Sequence, residues 1–245
     1  MQKINLMTHI VAGYPSMKEC EEIALCMAKS GVSFIEIQIP FSDPIADGPT
    51  IMEANEKSLL NGTTPEDCFE LIKRLKNKIK TPILIMSYFN IPFNYGVEKF
   101  CKKAKEIGVY GLIIPDIPID EEKHDHYIEI CRKHNLHPIQ VISPITTTGR
   151  LKKLKKVASG FVYCISTLGT TGERKELTPK LQDYLEKVRK IIKLPLALGF
   201  GISSEDQVLE ASKYADIVVI GSKMINLYKS GKIEAVKRFL DQILR

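Results

Sequence analysis

The chain has 245 residues, of which 44% are hydrophobic and 26% charged, and its formal net charge is +6. This length suits either two small domains or one α/β barrel, and the lack of a Ser/Gly-rich linker favours one domain over residues 1–245. The basic residues mostly alternate with apolar ones at helical spacing and form no aromatic-basic patch, so nucleic-acid binding is not expected. An anionic small substrate is the better partner for the charge.

Cysteine usage and the first residues indicate a cytoplasmic protein. The six cysteines are scattered, without a C-x-x-C pair or a His-flanked cluster, so neither a disulfide framework nor a zinc site is predicted. The first residues read M-Q-K-I-N-L and lack the apolar run of a signal peptide. No apolar segment approaches the roughly 20 residues that a membrane span needs, so no membrane association is expected.

Short apolar runs alternate with longer helical patterns along the whole chain. The predicted strands are residues 4–11, 34–39, 83–86, 111–114, 138–141, 161–165, 196–198 and 217–220. Helices lie between them, for example over residues 17–30 and 65–79. This alternation predicts repeated βα units and a parallel sheet. Eight units favour closure into a (β/α)8 TIM barrel, with an open doubly wound sheet as the alternative.

The second predicted strand and its loop, residues 35–50, read I-E-I-Q-I-P-F-S-D-P-I-A-D-G-P-T. Strand alternation puts the isoleucines on one face and Glu36 and Gln38 on the other. A carboxylate among isoleucines is costly to bury without a task or a partner. Glu36 and Asp47 are therefore candidate catalytic groups. The alternative is that Glu36 pairs with a buried cation and Asp47 caps the following helix.

Glycines follow the last two predicted strands, Gly201 after the seventh and Gly221 after the eighth. In a barrel the carboxyl ends of the strands carry the site, and backbone N–H groups beside a glycine can approach an anion. A helix that begins near Ser222 would add its partial positive charge. The pattern therefore predicts a phosphate site. After strand six, residues 166–176 form a polar segment whose glycines would let it fold over a ligand, with an ordinary exposed turn as the alternative.

The string around Glu36 and Asp47 closely resembles the signature of the tryptophan synthase alpha subunit family, in which a strand-two glutamate is followed by P-F-S-D-P-x-A-D-G-P. The likeness runs through the chain. It implies a (β/α)8 barrel that cleaves indole-3-glycerol phosphate to indole and glyceraldehyde 3-phosphate in tryptophan biosynthesis. It also implies that Glu36 moves protons and that Asp47 accepts the N–H of the indole ring. No metal and no cofactor is expected in this chain.

The same resemblance implies further site residues on the loops. Those expected to bind the substrate phosphate are Gly172, Gly201, Gly221 and Ser222. Those expected to form the indole pocket and its lid are His9, Tyr88, Thr171 and Phe200. In the family the lid threonine that matches Thr171 bonds the aspartate that matches Asp47. For Tyr88, plain loop structure at the barrel rim is the alternative role.

Three positions depart from the family pattern. His9 stands where an aromatic residue generally lines the indole pocket, Gln38 where a glycine is usual, and Ile145 where an asparagine is common. We expect His9 to be a pocket wall rather than a catalyst. We expect the Gln38 amide to donate a hydrogen bond to Glu36, because a buried amide without a partner costs about 1–3 kcal/mol. Simple filling of the pocket by Gln38 is the alternative.

The resemblance also implies a partner, a beta subunit that would receive the indole within an alpha2beta2 heterotetramer. Pyridoxal phosphate is expected only in that subunit. The loop over residues 40–47, with Asp43 at its tip, is expected to contact it. Two alternatives stay open: a catalytically weakened alpha-like subunit that mainly activates the beta subunit, and a different phosphosugar lyase or isomerase on the same fold.

Overall fold

The structure of the protein is a computed structural model, which describes residues 4–165, 179–199 and 201–244. Eight parallel strands form a closed barrel in which each strand pairs with the next and the last pairs with the first. The strands are β1 Leu6–Val11, β2 Phe34–Gln38, β3 Ile83–Met86, β4 Gly111–Ile113, β5 His137–Ile142, β6 Val162–Ile165, β7 Leu196–Gly199 and β8 Ile217–Ile220. The predicted barrel is confirmed, and closure between β1 and β8 rules out the open sheet.

Strand positions agree with the sequence pattern, while several ends differ by one or two residues. β3 and β8 have the predicted bounds. β2 ends at Gln38, one residue early, where the chain approaches Pro40, which has no N–H for the ladder. β5 is one residue longer than predicted at each end. The alternation of side chains fixes where a strand lies much better than where it stops.

Eleven α-helices are present among the described residues. They are α1 Met17–Ser30, α2 Pro49–Leu60, α3 Pro65–Lys76, α4 Asn90–Tyr95, α5 Val97–Glu106, α6 Glu122–Asp125, α7 Tyr127–Lys133, α8 Thr148–Val157, α9 Pro179–Ile191, α10 Glu205–Ser212 and α11 Ser222–Ile243. The predicted bounds of α1 are confirmed, with Ser16 capping its start and Gly31 its end. α3 begins at Pro65 as predicted, after a capping box that Thr64 and Asp67 form, but it ends three residues earlier than predicted, at Lys76.

Apolar side chains form two layers, one on each side of the strands. The isoleucines of β2 are fully buried between the barrel and the helices. A second cluster, which includes Met7, Leu84 and Ile113, fills the barrel interior. In α8 the leucines are buried and the lysines exposed, so the predicted solvated basic face is confirmed.

Aromatic rings close the end of the barrel where the strands begin. The Phe34 ring lies 5.5 Å from the rings of both Tyr110 and Phe161, measured between centroids. The His137 ring lies 4.5 Å from that of Tyr110. This floor, formed by Phe34, Tyr110, Phe161 and His137, leaves the other end of the barrel for ligands.

In the described part of the chain, no helix is long and apolar enough to cross a membrane. The six cysteines are free thiols, and five of them are buried. Buried free cysteines behave as small apolar residues.

Candidate active site

His9 and Glu36 lie side by side because β1 and β2 pair with these two residues opposite each other. His9 Nδ1 is 3.0 Å from Glu36 Oε1, and the two residues are only 5% and 3% exposed. The alternative interpretation of Glu36, in which the carboxylate pairs with a buried partner, therefore also agrees with the structure, and that partner is His9. The sequence did not predict this contact, because the register between two strands decides which side chains meet; the place of His9 in the wall of the indole pocket stays a prediction.

The surroundings of His9 favour its charged form. Burial lowers the pKa of His9, but the Glu36 carboxylate raises it by attraction and hydrogen bonding and Asp47 adds to the rise, so the pKa lies above its usual value. His9 Nε2 and Glu36 Oε2 are buried and have no hydrogen-bond partner among the described residues. Buried polar atoms of this kind are costly unless a ligand or another group satisfies them.

Asp47 is the second buried carboxylate, and Gln38 holds it. Gln38 Nε2 lies 2.6 Å from Asp47 Oδ2. Burial raises the pKa of Asp47, while hydrogen bonds from Gln38 and Tyr88 oppose that rise. The expected bond from Gln38 to Glu36 was wrong, because the loop after β2 folds back and brings Asp47 within reach of the amide. Asp47 does not cap α2, which begins after Gly48 without a side-chain cap.

Asn55, on α2, fastens the loop that carries Asp47. Its Oδ1 accepts hydrogen bonds from the Phe41 backbone N–H at 2.9 Å and from Gln38 Nε2 at 3.3 Å. Its Nδ2 donates to the Ile51 carbonyl at 2.9 Å. Sequence reasoning missed Asn55. The available signal was an amide in the buried stripe of α2, where a polar side chain needs partners.

Tyr88 joins the loops after β2 and β3. Its hydroxyl accepts the Ala46 backbone N–H at 3.0 Å, and its ring stacks on Phe41 with 5.2 Å between centroids. The hydroxyl also bonds Asp47. Tyr88 is almost fully buried. The structure therefore places Tyr88 beside Asp47, where it makes contacts that a residue merely covering the barrel rim would not make.

The predicted phosphate residues in the described chain lie at the ends of β7 and β8, which are neighbours in the barrel. Gly201 has a φ of +71°, a backbone conformation that favours glycine. Gly221 precedes α11, whose first residue is the buried Ser222. A Cβ on Gly221 would lie 3.6 Å from the Cβ of His9, so this end of the barrel adjoins the catalytic candidates.

Three predicted site residues, Thr171, Gly172 and Phe200, lie outside the described residues. Among the described residues, no three or more His, Cys, Asp or Glu side chains are grouped closely enough to hold a metal ion. Asp43 and Ile145 are exposed on the loops that follow β2 and β5.

Comparison with known proteins decides the family. The family profile described as tryptophan synthase alpha chain matches residues 1–243. The chain belongs to the tryptophan synthase alpha chain family. The tryptophan synthase alpha chain of Desulfotalea psychrophila is 43% identical over 237 residues, which cover 97% of this chain and 92% of that one. That of Petrotoga mobilis is 39% identical over 240 residues, which cover 96% of this chain and 92% of that one.

Solved tryptophan synthases share the fold. A structure of Mycobacterium tuberculosis tryptophan synthase superposes with a TM-score of 0.91 at 28% identity, covering 99% of this chain and 91% of that chain. A mutant tryptophan synthase alpha-subunit from Pyrococcus furiosus gives a TM-score of 0.89 at 31% identity, covering 100% and 99%. The predicted family is confirmed, and with it a lyase of tryptophan biosynthesis that catalyses the alpha reaction.

Proposed function

We propose that the chain cleaves indole-3-glycerol phosphate to indole and glyceraldehyde 3-phosphate with Glu36 and Asp47 as its catalytic residues. The observation that carries this proposal is the pair of buried carboxylates, each held by its own partner, His9 for Glu36 and Gln38 for Asp47. Partners of this kind fix the carboxylates before substrate arrives, which is what positioned acid–base groups require.

The reaction requires Glu36 to take part in two proton transfers. First the carboxyl delivers a proton to carbon 3 of the indole ring. The carboxylate then takes the proton of the side-chain hydroxyl, the carbonyl of glyceraldehyde 3-phosphate forms, and the carbon–carbon bond breaks with its electron pair returning to the ring. Because Oε1 of Glu36 faces His9 and the buried Oε2 has no partner among the described residues, Oε2 is the oxygen we assign to the substrate.

Asp47 is proposed to accept the ring N–H, which becomes more positive once carbon 3 is protonated. An anionic acceptor in a buried site stabilises such charge more strongly than it would in water. Its hydrogen bonds from Gln38 and Tyr88 support this role, since they favour the ionised carboxylate that burial disfavours.

The substrate phosphate is assigned to Gly172, Gly201, Gly221 and Ser222. The start of α11 at Ser222 supports this assignment, since the first N–H groups of a helix and its dipole attract anions. Tyr88 and His9, with Thr171 and Phe200, are assigned to the indole pocket and its lid.

We also propose a beta subunit as partner, in an alpha2beta2 assembly to which indole passes. The likeness to the Mycobacterium tuberculosis tryptophan synthase structure supports a beta partner. The rim offers a surface for it, since Asp43 and Ile45 are exposed at the tip of the loop that carries Asp47. In this proposal pyridoxal phosphate belongs to the partner, and the side chains of this subunit perform the proton transfers. The intact pair of carboxylates supports activity over a purely regulatory role.

The test is an assay of indole release from indole-3-glycerol phosphate by the purified chain, alone and with a saturating tryptophan synthase beta subunit. We expect slow release alone and faster release with the partner. A folded chain that binds the beta subunit yet releases no indole in either case would contradict the proposed chemistry and favour the purely activating role.

A further inference from the structure

The pairing of His9 with Glu36 is a feature of this chain that the family resemblance does not supply. An aromatic residue is general at this position, and a hydrocarbon ring there could neither donate to a carboxylate nor carry charge. The imidazole does both, with its Nδ1 3.0 Å from Glu36 Oε1. Both side chains are buried, so water does not compete for the bond.

We propose that His9 is a positioning residue of the alpha reaction, which orients Glu36 and shares with it the proton that Glu36 hands to the substrate. This inference rests on the proposed function. It adds to that function a second group that can hold the proton next to the carboxyl group of Glu36. It also assigns to His9 a role beyond lining the indole pocket.

The barrel frame holds both members of the pair. His9 and Glu36 are register partners in the ladder between β1 and β2, so neither backbone can shift without breaking strand pairing. On the other side of β1, Gly221 follows β8 and has no side chain, which leaves room for the imidazole beside it. With Oε1 facing His9, the carboxyl group presents Oε2 in one fixed orientation.

The charges around His9 favour its protonated form. Glu36 faces it from β2, and Asp47 faces it from the loop after β2. The neutral amide of Gln38 also lies beside it. Tyr163, on β6, faces both carboxylates, and its pKa is raised by burial and by their charge, so this phenol stays neutral. Two carboxylates thus act on one imidazole, and they raise the pKa of His9 despite its burial.

The number of protons on His9 and Glu36 is the same at the start and at the end of the proposed cycle. The pair starts with one proton, held either on Nδ1 of His9 or on Glu36, and in the form that carries it on Oε2, Glu36 gives this proton to carbon 3, where a C–H bond forms. The pair regains a proton from the substrate hydroxyl when the carbon–carbon bond breaks. Loss of the His9 proton leaves the pair without a proton to give, so turnover should fall as pH rises through the titration of His9.

Two substitutions separate orientation from proton storage. His9→Asn keeps an N–H donor close to the position of Nδ1 but cannot titrate, whereas His9→Phe removes both the donor and the charge. Thr8→Val is the matched control, because Thr8 is the neighbouring residue of β1, is fully buried on the opposite face, and its hydroxyl has no partner among the described residues. The measurement is kcat and KM for indole release across pH.

We expect the alkaline limb of kcat to move to lower pH by about one unit in both His9 variants, since a pKa change of one unit reflects roughly 1.4 kcal/mol of interaction. His9→Phe should also lower the maximum of kcat by about tenfold, with KM changed less than about threefold, because orientation acts on the chemical step. The Thr8→Val profile should match that of the unchanged protein. Identical alkaline limbs in all four proteins would overturn the proposal.

A second readout does not depend on turnover. In NMR titrations of the ligand-free protein, the His9 ring should show a raised pKa that falls in Glu36→Gln. An unshifted His9 in that variant would overturn the pairing on which the proposal stands. A His9 that responds to Glu36 in a chain that releases no indole would instead overturn the proposed function, and with it the role of His9 in the reaction.

Discussion

Gln38 donates its side-chain amide to Asp47, with Nε2 2.6 Å from Oδ2, and thereby links the end of β2 to the carboxylate on the following loop. The same amide nitrogen lies 3.3 Å from Asn55 Oδ1. Gln38 is fully buried, so these contacts, rather than solvent, satisfy its donor. The residue that occupies the position of a family glycine therefore contacts Asp47, the carboxylate proposed to accept the ring N–H.

Replacing Gln38 should change the pH dependence of the reaction through Asp47. Gln38→Met keeps most of the volume and removes the donor that lowers the pKa of Asp47. The pKa of Asp47 should then rise further above its usual value, and the required carboxylate should be lost at a higher pH as the solution is acidified. We expect the acidic limb of kcat/KM to move upward in pH.

Gln38→Gly is the companion variant, because it removes both the donor and the volume. If the amide matters through its hydrogen bond, both variants shift the acidic limb. A shift in neither variant, with only KM altered in Gln38→Gly, would mean that Gln38 acts by filling space.

Glu36→Gln should abolish turnover and keep the fold. The amide retains the shape of the carboxyl group but cannot give and take a proton, and general acid–base catalysis contributes about 10²–10⁴-fold. Binding of a substrate analogue, measured by calorimetry, should stay close to that of the unchanged protein. More than about a tenth of the activity remaining would be incompatible with Glu36 as the proton carrier.

His9 should make stability depend on pH. Its pKa is raised in the folded protein, so its contribution is fully present below the unfolded value of about 6.5 and is lost as pH rises through the folded pKa. The free energy of unfolding of the unchanged protein should therefore fall, relative to that of His9→Phe, as pH rises above about 6.5. Urea unfolding of both proteins at several pH values measures this difference. Thr8→Val should differ from the unchanged protein by an amount that does not vary with pH.

Gly111 is expected to be essential for packing at the start of β4. A Cβ at this position would lie 2.5 Å from the backbone oxygen of His137, which belongs to the neighbouring strand and cannot move aside. Gly111→Ala should destabilise the fold by about 1–3 kcal/mol. Gly149→Ala is the matched control, since Gly149 lies in α8 with no atom within 4 Å of the added carbon. There alanine should stabilise by about 0.5–1 kcal/mol, and thermal melts would show opposite shifts.

Asp43→Ala should weaken stimulation by a beta subunit and leave the activity of the isolated chain unchanged. Asp43 is exposed at the loop tip, whereas Asp47 on the same loop is buried at the site. A partner that holds the tip would favour the competent position of Asp47. Glu106→Ala, an exposed acid at the far end of α5, serves as control. Equal stimulation of all three proteins would show that the loop tip does not transmit the effect.

The sequence predicted the barrel and the catalytic candidates because both follow from local patterns. Apolar runs and helical spacing define eight βα units, and alternation within β2 places Glu36 inward. The contacts between candidates need information that no local pattern carries. The bond from His9 to Glu36 depends on the register of two strands. The bond from Gln38 to Asp47 depends on the turn in which the Asp47 N–H bonds the Pro44 carbonyl.

The barrel is open at one end only, because the aromatic floor of Phe34, Tyr110, Phe161 and His137 closes the other end. Above this floor the interior is filled by packed apolar side chains, so a molecule the size of indole cannot leave through the closed end of the barrel. Substrate must enter and both products must depart across the same ring of loops. Any protein bound to that ring of loops would therefore control both the entry of substrate and the release of products. It could receive indole directly without contributing an atom to its formation.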